Sequence, residues 1–227
     1  QYATPLTESE LTDARVHVRR IDGRLLLKTS PASYDVIFVG IGAPSSLQAN
    51  RFFTQEFFSL ARERLRPGGI LVLATPGSFT LQSNELKDLN SSIFHTLHSV
   101  FPHIRVMPGE GRNVFLASQA TGVLTIDAAQ VARRLSERSI AANVRALWRI
   151  ERILHPGWQD WFQSFIEGGS QRINTDERPV GLFYSMSYWN ALLAPSFGWL
   201  FARAERLSLG GVFLFVALFL ALYMVVH

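Results

Sequence analysis

Apolar residues from position 34 onwards fall into short runs that alternate with segments of helical periodicity. Short apolar runs bounded by Gly, Pro or Asn are typical of strands, and apolar residues three and four apart are typical of helices. The predicted strands are 16–19, 34–39, 70–74, 104–107 and 114–117, and the predicted helices are 24–28, 54–65 and 84–100. This alternation predicts an α/β domain with a mostly parallel sheet. Strand 34–39 is expected to be central and buried on both faces.

The pattern changes after residue 120. Residues 127–154 predict one long amphipathic helix, and the aromatic side chains that follow it form two groups, at 158–165 and 183–201. Aromatic residues this dense favour a bilayer interface, and a small hydrophobic core beneath the sheet is the alternative. The sequence leaves both interpretations open.

A long uncharged segment follows near the C-terminus. No residue from Ser208 to Val226 is charged, and a run of this length predicts a helix that crosses a bilayer. Arg203 and Arg206 precede the run, so the positive-inside rule predicts that the preceding domain lies in the cytoplasm. The predicted regions are an α/β domain at 1–120, a helical, aromatic-rich region at 121–207 and a transmembrane helix at 208–227.

Composition narrows the expected partners. The 227 residues include no Cys, which excludes disulfides and thiolate metal sites. The net charge of +4 owes much to the segment 133–152, which predicts the solvated face of an amphipathic helix, with anionic lipid headgroups or an acidic partner as the alternative. These basic residues are not interleaved with exposed aromatics in a recognisable motif, so no nucleic-acid partner is expected. No metal site is expected either, because His95, His98 and His103 have no carboxylate at matching spacing.

The turn after strand 34–39 occupies the position where catalytic groups usually lie in α/β enzymes. From Val39 to Ser46 it contains no acid, no base and no nucleophile stronger than a serine hydroxyl. Gly40 and Gly42 are expected to allow a tight backbone path there. The turn therefore has the position of an active-site loop without its chemistry.

Several segments together resemble one family. They are YDVIFV at 34–39, a turn containing Pro44, NRFFT at 50–54, LRPGGILVL at 65–73 and NTDERPV at 174–180. The combination resembles spermidine synthases, the polyamine aminopropyltransferases, and especially their membrane-fused bacterial relatives. The resemblance implies part of a Rossmann-like fold of the S-adenosylmethionine-dependent transferase type. It also implies a bacterial inner membrane location, with other membrane protein subunits and the lipid bilayer as partners.

The family's active-site turn reads Asp-x-x-Asp-Pro, and this chain departs from it. The positions of the two acids correspond to Gly40 and Ala43, and only Pro44 is retained. The resemblance implies that one acid deprotonates the attacking amine and that both hold the cationic polyamine. A protonated amine needs a base before it can attack, and glycine and alanine supply none. We therefore expect no catalytic residue in this turn.

The family also binds its nucleoside cofactor on a glycine-rich loop after the first strand. No such loop precedes Val16, and the chain is expected to enter the fold near the third or fourth strand. Asp22 and Gly23 match a family motif that contacts the adenine, although a simple turn residue is the preferred interpretation of Asp22. No cofactor is expected, and S-adenosylmethionine or its decarboxylated form is the alternative.

Two further segments have a structural and a functional interpretation. Residues 109–112, GEGR, predict a hairpin turn in preference to a phosphate cradle, because the lysine and the length of a P-loop are missing. Asp176, Glu177 and Arg178 predict a loop held by local salt bridges.

The leading hypothesis is a catalytically inactive, membrane-anchored accessory subunit. The second is an active aminopropyltransferase-like or methyltransferase-like enzyme that uses other acids, such as Asp22 or Glu56. Its cofactor-binding half would lie upstream of Gln1 or on another chain. A lipid-surface module that binds through the basic helix is a third hypothesis.

Overall fold

The structure, a computed structural model, describes residues 12–124, 127–140, 152 and 155–193. The chain forms two compact units, Gln1–Ala32 and Ser33–His227. In the first unit, helix α1 (Gly23–Thr29) begins after Asp22 and confirms the helix predicted at 24–28. The strand predicted at 16–19 is wrong, because these residues pair with no other strand in the described residues.

The second unit contains four strands and six helices in its described part. The strands are β1 (Tyr34–Phe38), β2 (Leu65–Gly77), β3 (His103–Met107) and β4 (Gly111–Ser118). The helices are α2 (Leu47–Asn50), α3 (Gln55–Arg64), α4 (Asn84–His98), α5 (Ala128–Glu137), α6 (Gly157–Ile166) and α7 (Val180–Leu193). The predicted order of strands and helices from residue 34 to residue 118 is confirmed.

The sheet is mixed, with strand order β1-β2-β4-β3. β1 and β2 pair in parallel, whereas β4 runs antiparallel to both of its neighbours. The prediction of a mostly parallel sheet is therefore wrong for two of the three pairings among the described strands. The reason is the connection 108–110, since a link this short joins two strands only as an antiparallel hairpin.

β1 is an edge strand in the described sheet, which corrects the prediction that it is central and buried on both faces. It pairs with β2 alone, so no described strand covers its other edge. Val36 is 55% exposed and Phe38 is 68% exposed. An apolar run favours a strand buried on both faces, but this burial requires other elements packed over each face, and Val36 and Phe38 stay largely exposed among the described residues.

The hydrophobic core lies between the sheet and α4. β2 contributes Leu71 and Leu73, which pair in register with Ala117 and Phe115 of β4. All four of these side chains are buried. α4 buries its own apolar side chains at helical spacing, namely Leu86, Leu89, Ile93 and Leu97. Each such burial stabilises the fold by about 1.5–3 kcal/mol, so this interface holds the helix in place.

The first aromatic group, at 158–165, contributes to this core. This decides between the bilayer interface and the small hydrophobic core for its buried members. The Phe162 ring lies 5.6 Å from that of Phe115 and 6.0 Å from that of Phe94, and its side chain is fully buried. Phe165 of the same helix, α6, is also buried. For Phe162 and Phe165 the small hydrophobic core is therefore the correct interpretation, whereas Trp158 and Trp161 are half-buried.

The helix predicted at 127–154 lies partly outside the described residues, and the membrane span predicted at 208–226 lies wholly outside them. The helix predicted at 127–154 is helical as far as Glu137, and Ser139 has a left-handed φ of 54°, which interrupts the helix. Residues 141–151, 153 and 154 and the predicted span 208–226 lie outside the described residues. Among the helices of the described ranges, none has the length and apolar character needed to cross a membrane.

Candidate functional site

A cleft of about 710 Å³ opens at the carboxyl ends of β1 and β2. This edge of the sheet is where α/β proteins usually bind ligands. Three loops and one helix surround the cleft. Its lining residues are Gly42, Ala43, Ser45, Ala74, Pro76, Gly77, Ser78, Thr80, Leu81, Glu110, Gly111, Arg112, Tyr188 and Trp189.

The loop after β1 forms one wall and contains Gly40 and Ala43, which the resemblance aligns with two acids. Ala43 lines the cleft and Pro44 is buried behind it, while Gly40 lies at the base of the loop and is not among the lining residues. Neither Gly40 nor Gly42 has a positive φ. A Cβ atom at Gly40 would lie 3.9 Å from its nearest neighbour, Phe38, and one at Gly42 would meet nothing within 4 Å. The prediction that these glycines serve a tight backbone path is therefore wrong, because the loop has room for side chains.

The end of β2 forms the opposite wall, and buried amides hold it rigidly. The Asn90 side chain of α4 accepts hydrogen bonds from the Thr75 hydroxyl (2.7 Å) and from the Asn113 amide (2.9 Å). It donates to the Pro76 carbonyl oxygen (3.1 Å). Thr75, Asn90 and Asn113 are all at most 1% exposed. Because a buried polar group without a partner is costly, this network fixes β2, β4 and α4 in one arrangement.

Gly77 lies at the end of this wall and has no room for a side chain. A Cβ atom there would lie 2.5 Å from the Asn113 Oδ1 atom and 2.7 Å from its backbone nitrogen. Glycine is thus required at position 77 by close packing against β4.

Glu110 supplies a carboxylate at the third wall, in the hairpin between β3 and β4. Its two oxygens accept hydrogen bonds from the Phe79 backbone N–H (2.7 Å) and the Ser78 hydroxyl (2.8 Å). These bonds, the one from Phe79 first, lower the pKa of the Glu110 carboxyl. The segment 109–112 is therefore a hairpin turn, as predicted, and Glu110 ties it to the loop after β2.

Helix α7 closes the cleft with two aromatic side chains, Tyr188 and Trp189. Burial and, secondarily, the negative charge of Glu110 raise the pKa of the Tyr188 hydroxyl. Tyr188 is therefore a neutral hydrogen-bonding group in the cleft at physiological pH.

The segment before α7 is fastened to the α/β core by Asn174, which is fully buried. The Asn174 amide donates to the Asn50 side-chain oxygen (3.0 Å) and to the Phe53 carbonyl oxygen (2.9 Å). Its own oxygen accepts from the Gly181 backbone N–H (2.9 Å) in the first turn of α7. These bonds connect two of the segments that carry the family resemblance, 50–54 and 174–180.

Asp176 adds a second contact between the same two segments. It accepts a hydrogen bond from the Thr54 hydroxyl (2.8 Å), and its backbone N–H donates to the Glu56 carboxylate (3.0 Å). The loop predicted to be held by local salt bridges thus makes hydrogen bonds to residues about 120 positions earlier in the chain. Glu56, one of the acids considered for catalysis, holds this loop and does not line the cleft.

Asp22 and Gly23, the predicted adenine contacts, lie in the first compact unit. The Asp22 carboxylate accepts a hydrogen bond from the Leu25 backbone N–H (3.0 Å) and caps α1, and Gly23 is the first residue of that helix. This is a local structural role, and the predicted cofactor contact stays a prediction.

Of the three histidines considered as metal ligands, His95 and His98 lie in the last turn of α4, and His103 begins β3. The Phe94 ring stacks on His98, and burial followed by the charge of His98 lowers the pKa of His95. No group of three potential metal ligands occurs in the part of the chain that the structure describes.

The cleft therefore combines apolar surface with one fixed carboxylate, one guanidinium and one phenol. Its walls can enclose a small ligand, but Glu110 is a weak base because its pKa is lowered. Sequence reasoning identified the loop after β1 and missed Tyr188 and Trp189, which reach the cleft from 140 residues further along the chain. The dense aromatic group around them was the available signal.

The chain is similar to proteins of one family. The family model of the spermine/spermidine synthase domain matches residues 3–123. A polyamine aminopropyltransferase of Oceanobacillus iheyensis is 35% identical over 68 residues, which are 30% of this chain and 13% of that protein. Polyamine aminopropyltransferase 2 of Pseudomonas aeruginosa is 31% identical over 93 residues, which are 40% of this chain and 26% of that protein. The matches thus span only a small part of each relative.

Two solved structures are similar at low identity. A probable spermidine synthase from Corynebacterium glutamicum gives a TM-score of 0.43 at 23% identity, over 70% of this chain and 55% of the other. Human methyltransferase-like protein 13 in complex with SAH gives a TM-score of 0.42 at 19% identity, over 61% of this chain and 60% of the other. The family model, by contrast, matches more than half of the 227 residues and includes the whole loop after β1. The chain belongs to the spermine/spermidine synthase domain family.

Proposed function

We propose that this chain is a spermidine-synthase-like domain that has lost aminopropyl transfer. It serves as a membrane-anchored accessory subunit of a membrane protein complex. The observation that carries the first part is the loop after β1, where Gly40 and Ala43 replace the two acids that the family uses.

The rest of the cleft supports the same conclusion. Among the described lining residues, Glu110 is the one carboxylate, and both of its oxygens are engaged by Ser78 and Phe79. Its lowered pKa makes it a poor acceptor for the proton of an amine. Arg112 also lines the cleft, and its positive charge disfavours a polycation.

Membrane attachment is supported by the sequence of the C-terminus. Residues 208–226 carry no charge, and Arg203 and Arg206 come directly before them. A span of this kind holds the domain in the cytoplasm, at the surface of a bacterial inner membrane. Other membrane subunits are the partners that a non-catalytic domain in this position would serve.

The test restores the missing acids in the full chain. Wild type is expected to show neither saturable putrescine binding nor aminopropyl transfer from decarboxylated S-adenosylmethionine. The double variant Gly40→Asp/Ala43→Asp is expected to bind putrescine, because the loop has space and the new charge attracts a cation. Gly40→Asn/Ala43→Asn is the matched control of nearly equal volume without the charge. Turnover by wild type would overturn the proposal.

The open cleft, with Glu110 and Tyr188 facing it, favours a second candidate. This is an active transferase whose cofactor-binding half lies upstream of Gln1 or on another chain, with S-adenosylmethionine or its decarboxylated form as cofactor. Under this hypothesis the natively purified protein, with its partners, transfers a group. Glu110→Gln lowers kcat with KM nearly unchanged. If no transfer occurs with either cofactor, this candidate is excluded.

A further inference from the structure

The outer face of α7 is apolar and exposed. Four side chains at helical spacing form this face, and we call them the outer stripe: Met186, Trp189, Leu192 and Leu193. They are 48%, 45%, 39% and 79% exposed, respectively. In the described residues nothing covers these side chains. Exposed apolar surface of this extent on a helix usually marks an interaction site.

The buried residues of the same helix mix large and small side chains. Val180, Tyr184 and Tyr188 are buried together with Gly181, Ser185 and Ser187. The hydroxyls of Ser185 and Ser187 have no hydrogen-bond partner among the described residues. α7 therefore has apolar side chains both inside and outside, whereas a surface helix of a soluble protein usually has a polar outer face.

Charge along the chain points to a lipid environment. None of the residues from Val180 to Ala202 is charged, so the charge-free segment begins with α7 and continues beyond it. Only residues 194–207 separate the end of α7 from the uncharged run 208–226. Fully extended, a linker of this length spans at most about 50 Å. The end of α7 therefore lies within that distance of the start of the uncharged run.

We propose that the outer stripe lies in the interfacial region of a lipid bilayer. The inference rests on the membrane attachment in the proposed function and adds the surface that contacts the lipid. Trp189 suits this position because its ring is apolar and its N–H is polar. Since Trp189 also lines the cleft, the mouth of the cleft opens at the membrane surface.

The absence of cysteine from the chain allows a direct test. Single variants Met186→Cys and Leu193→Cys of the full chain are spin-labelled and reconstituted in vesicles of phosphatidylcholine and phosphatidylglycerol. Ser164→Cys, at an exposed position on α6, is the matched control. Electron paramagnetic resonance then compares the accessibility of each label to oxygen and to a water-soluble nickel complex.

The labels at positions 186 and 193 are expected to be several-fold more accessible to oxygen than to the nickel complex. This corresponds to a depth of about 5–10 Å in the headgroup boundary. The label at position 164 is expected to remain fully accessible to nickel. Equal nickel access at all three positions overturns the inference. Labels at 186 and 193 that neither reagent reaches overturn it in favour of a protein partner.

The same experiment separates this inference from the proposed function. If the full chain does not associate with vesicles at all, membrane attachment itself fails. If the chain associates but positions 186 and 193 stay aqueous, only the contact by α7 fails.

Discussion

The two walls of the cleft are built in opposite ways. The wall at the end of β2 is fixed by a buried amide network, and Gly77 there has no space for a methyl group. The wall after β1 has space at Gly40 and Gly42, with no left-handed φ at either glycine. One wall is constrained by the fold, whereas the other could carry almost any small side chain.

If the chain has lost aminopropyl transfer, as we propose, this difference explains how it retained its shape. Gly40 and Ala43 lie on the unconstrained wall, so side chains there can change while the sheet and the buried network stay intact. The constrained wall contributes to stability whether or not a reaction takes place.

The largest expected effect comes from Asn90 in the constrained wall. Asn90→Leu leaves the Thr75 hydroxyl, the Asn113 amide and the Pro76 carbonyl without their common partner. We expect a loss of about 3 kcal/mol in the free energy of unfolding, which lowers Tm by about 6–12 °C. Asn84→Leu, at an exposed position of the same helix, is the control and should change Tm little. Equal losses of Tm in Asn90→Leu and Asn84→Leu would show that the hydrogen-bond network does not stabilise the fold.

Gly77→Ala should have the next largest effect. Its new methyl group would clash with the backbone and side chain of Asn113, at a cost of about 2 kcal/mol. Gly42→Ala is the matched control on the other wall, and it should leave the free energy of unfolding within about 0.5 kcal/mol of wild type. Urea unfolding of both variants measures the difference. If Gly42→Ala lowers the free energy of unfolding as much as Gly77→Ala does, the two walls do not differ in the space that they leave for a side chain.

The smallest effect concerns Glu110, which links the two loops beside the cleft. Because its folded-state pKa lies below the ordinary value of 4.5, its contribution is present above pH 4.5 and is lost as pH falls through the folded pKa. The Phe79 amide proton should therefore shift in an NMR titration with a midpoint below 4.5. The same proton should not titrate in Glu110→Gln. A midpoint at or above 4.5 would contradict the hydrogen bonds described here.

Local sequence signals predicted most of the strands and helices of the α/β unit, since an apolar run or an amphipathic repeat is contained within each element. Caps such as Thr54 and Ser83 mark where helices α3 and α4 begin. Strand neighbours were less predictable. The burial of β1 depends on what packs over its faces, its edge position depends on which strands pair with it, and the direction of β4 depends on a three-residue connection, so none of these follows from the strand's own composition.

The site was predictable only in part for the same reason. The loop after β1 adjoins a recognisable strand, and its missing acids are visible in the sequence. Asn174 and Asp176 act through contacts with residues more than a hundred positions away, and Tyr188 lines the cleft beside Glu110 of a distant hairpin. No local pattern specifies such contacts, and the loop at 174–180 was therefore interpreted as locally held.

The space around Gly40 also has an evolutionary consequence. A position whose side chain touches little is nearly neutral to selection for folding, so residues there change as soon as selection for function relaxes. Gly77 stays under selection for as long as the protein must fold. A lineage that gives up aminopropyl transfer can thus drift at position 40 while position 77 remains glycine. Return to an acid at position 40 is then a single substitution that the fold does not oppose.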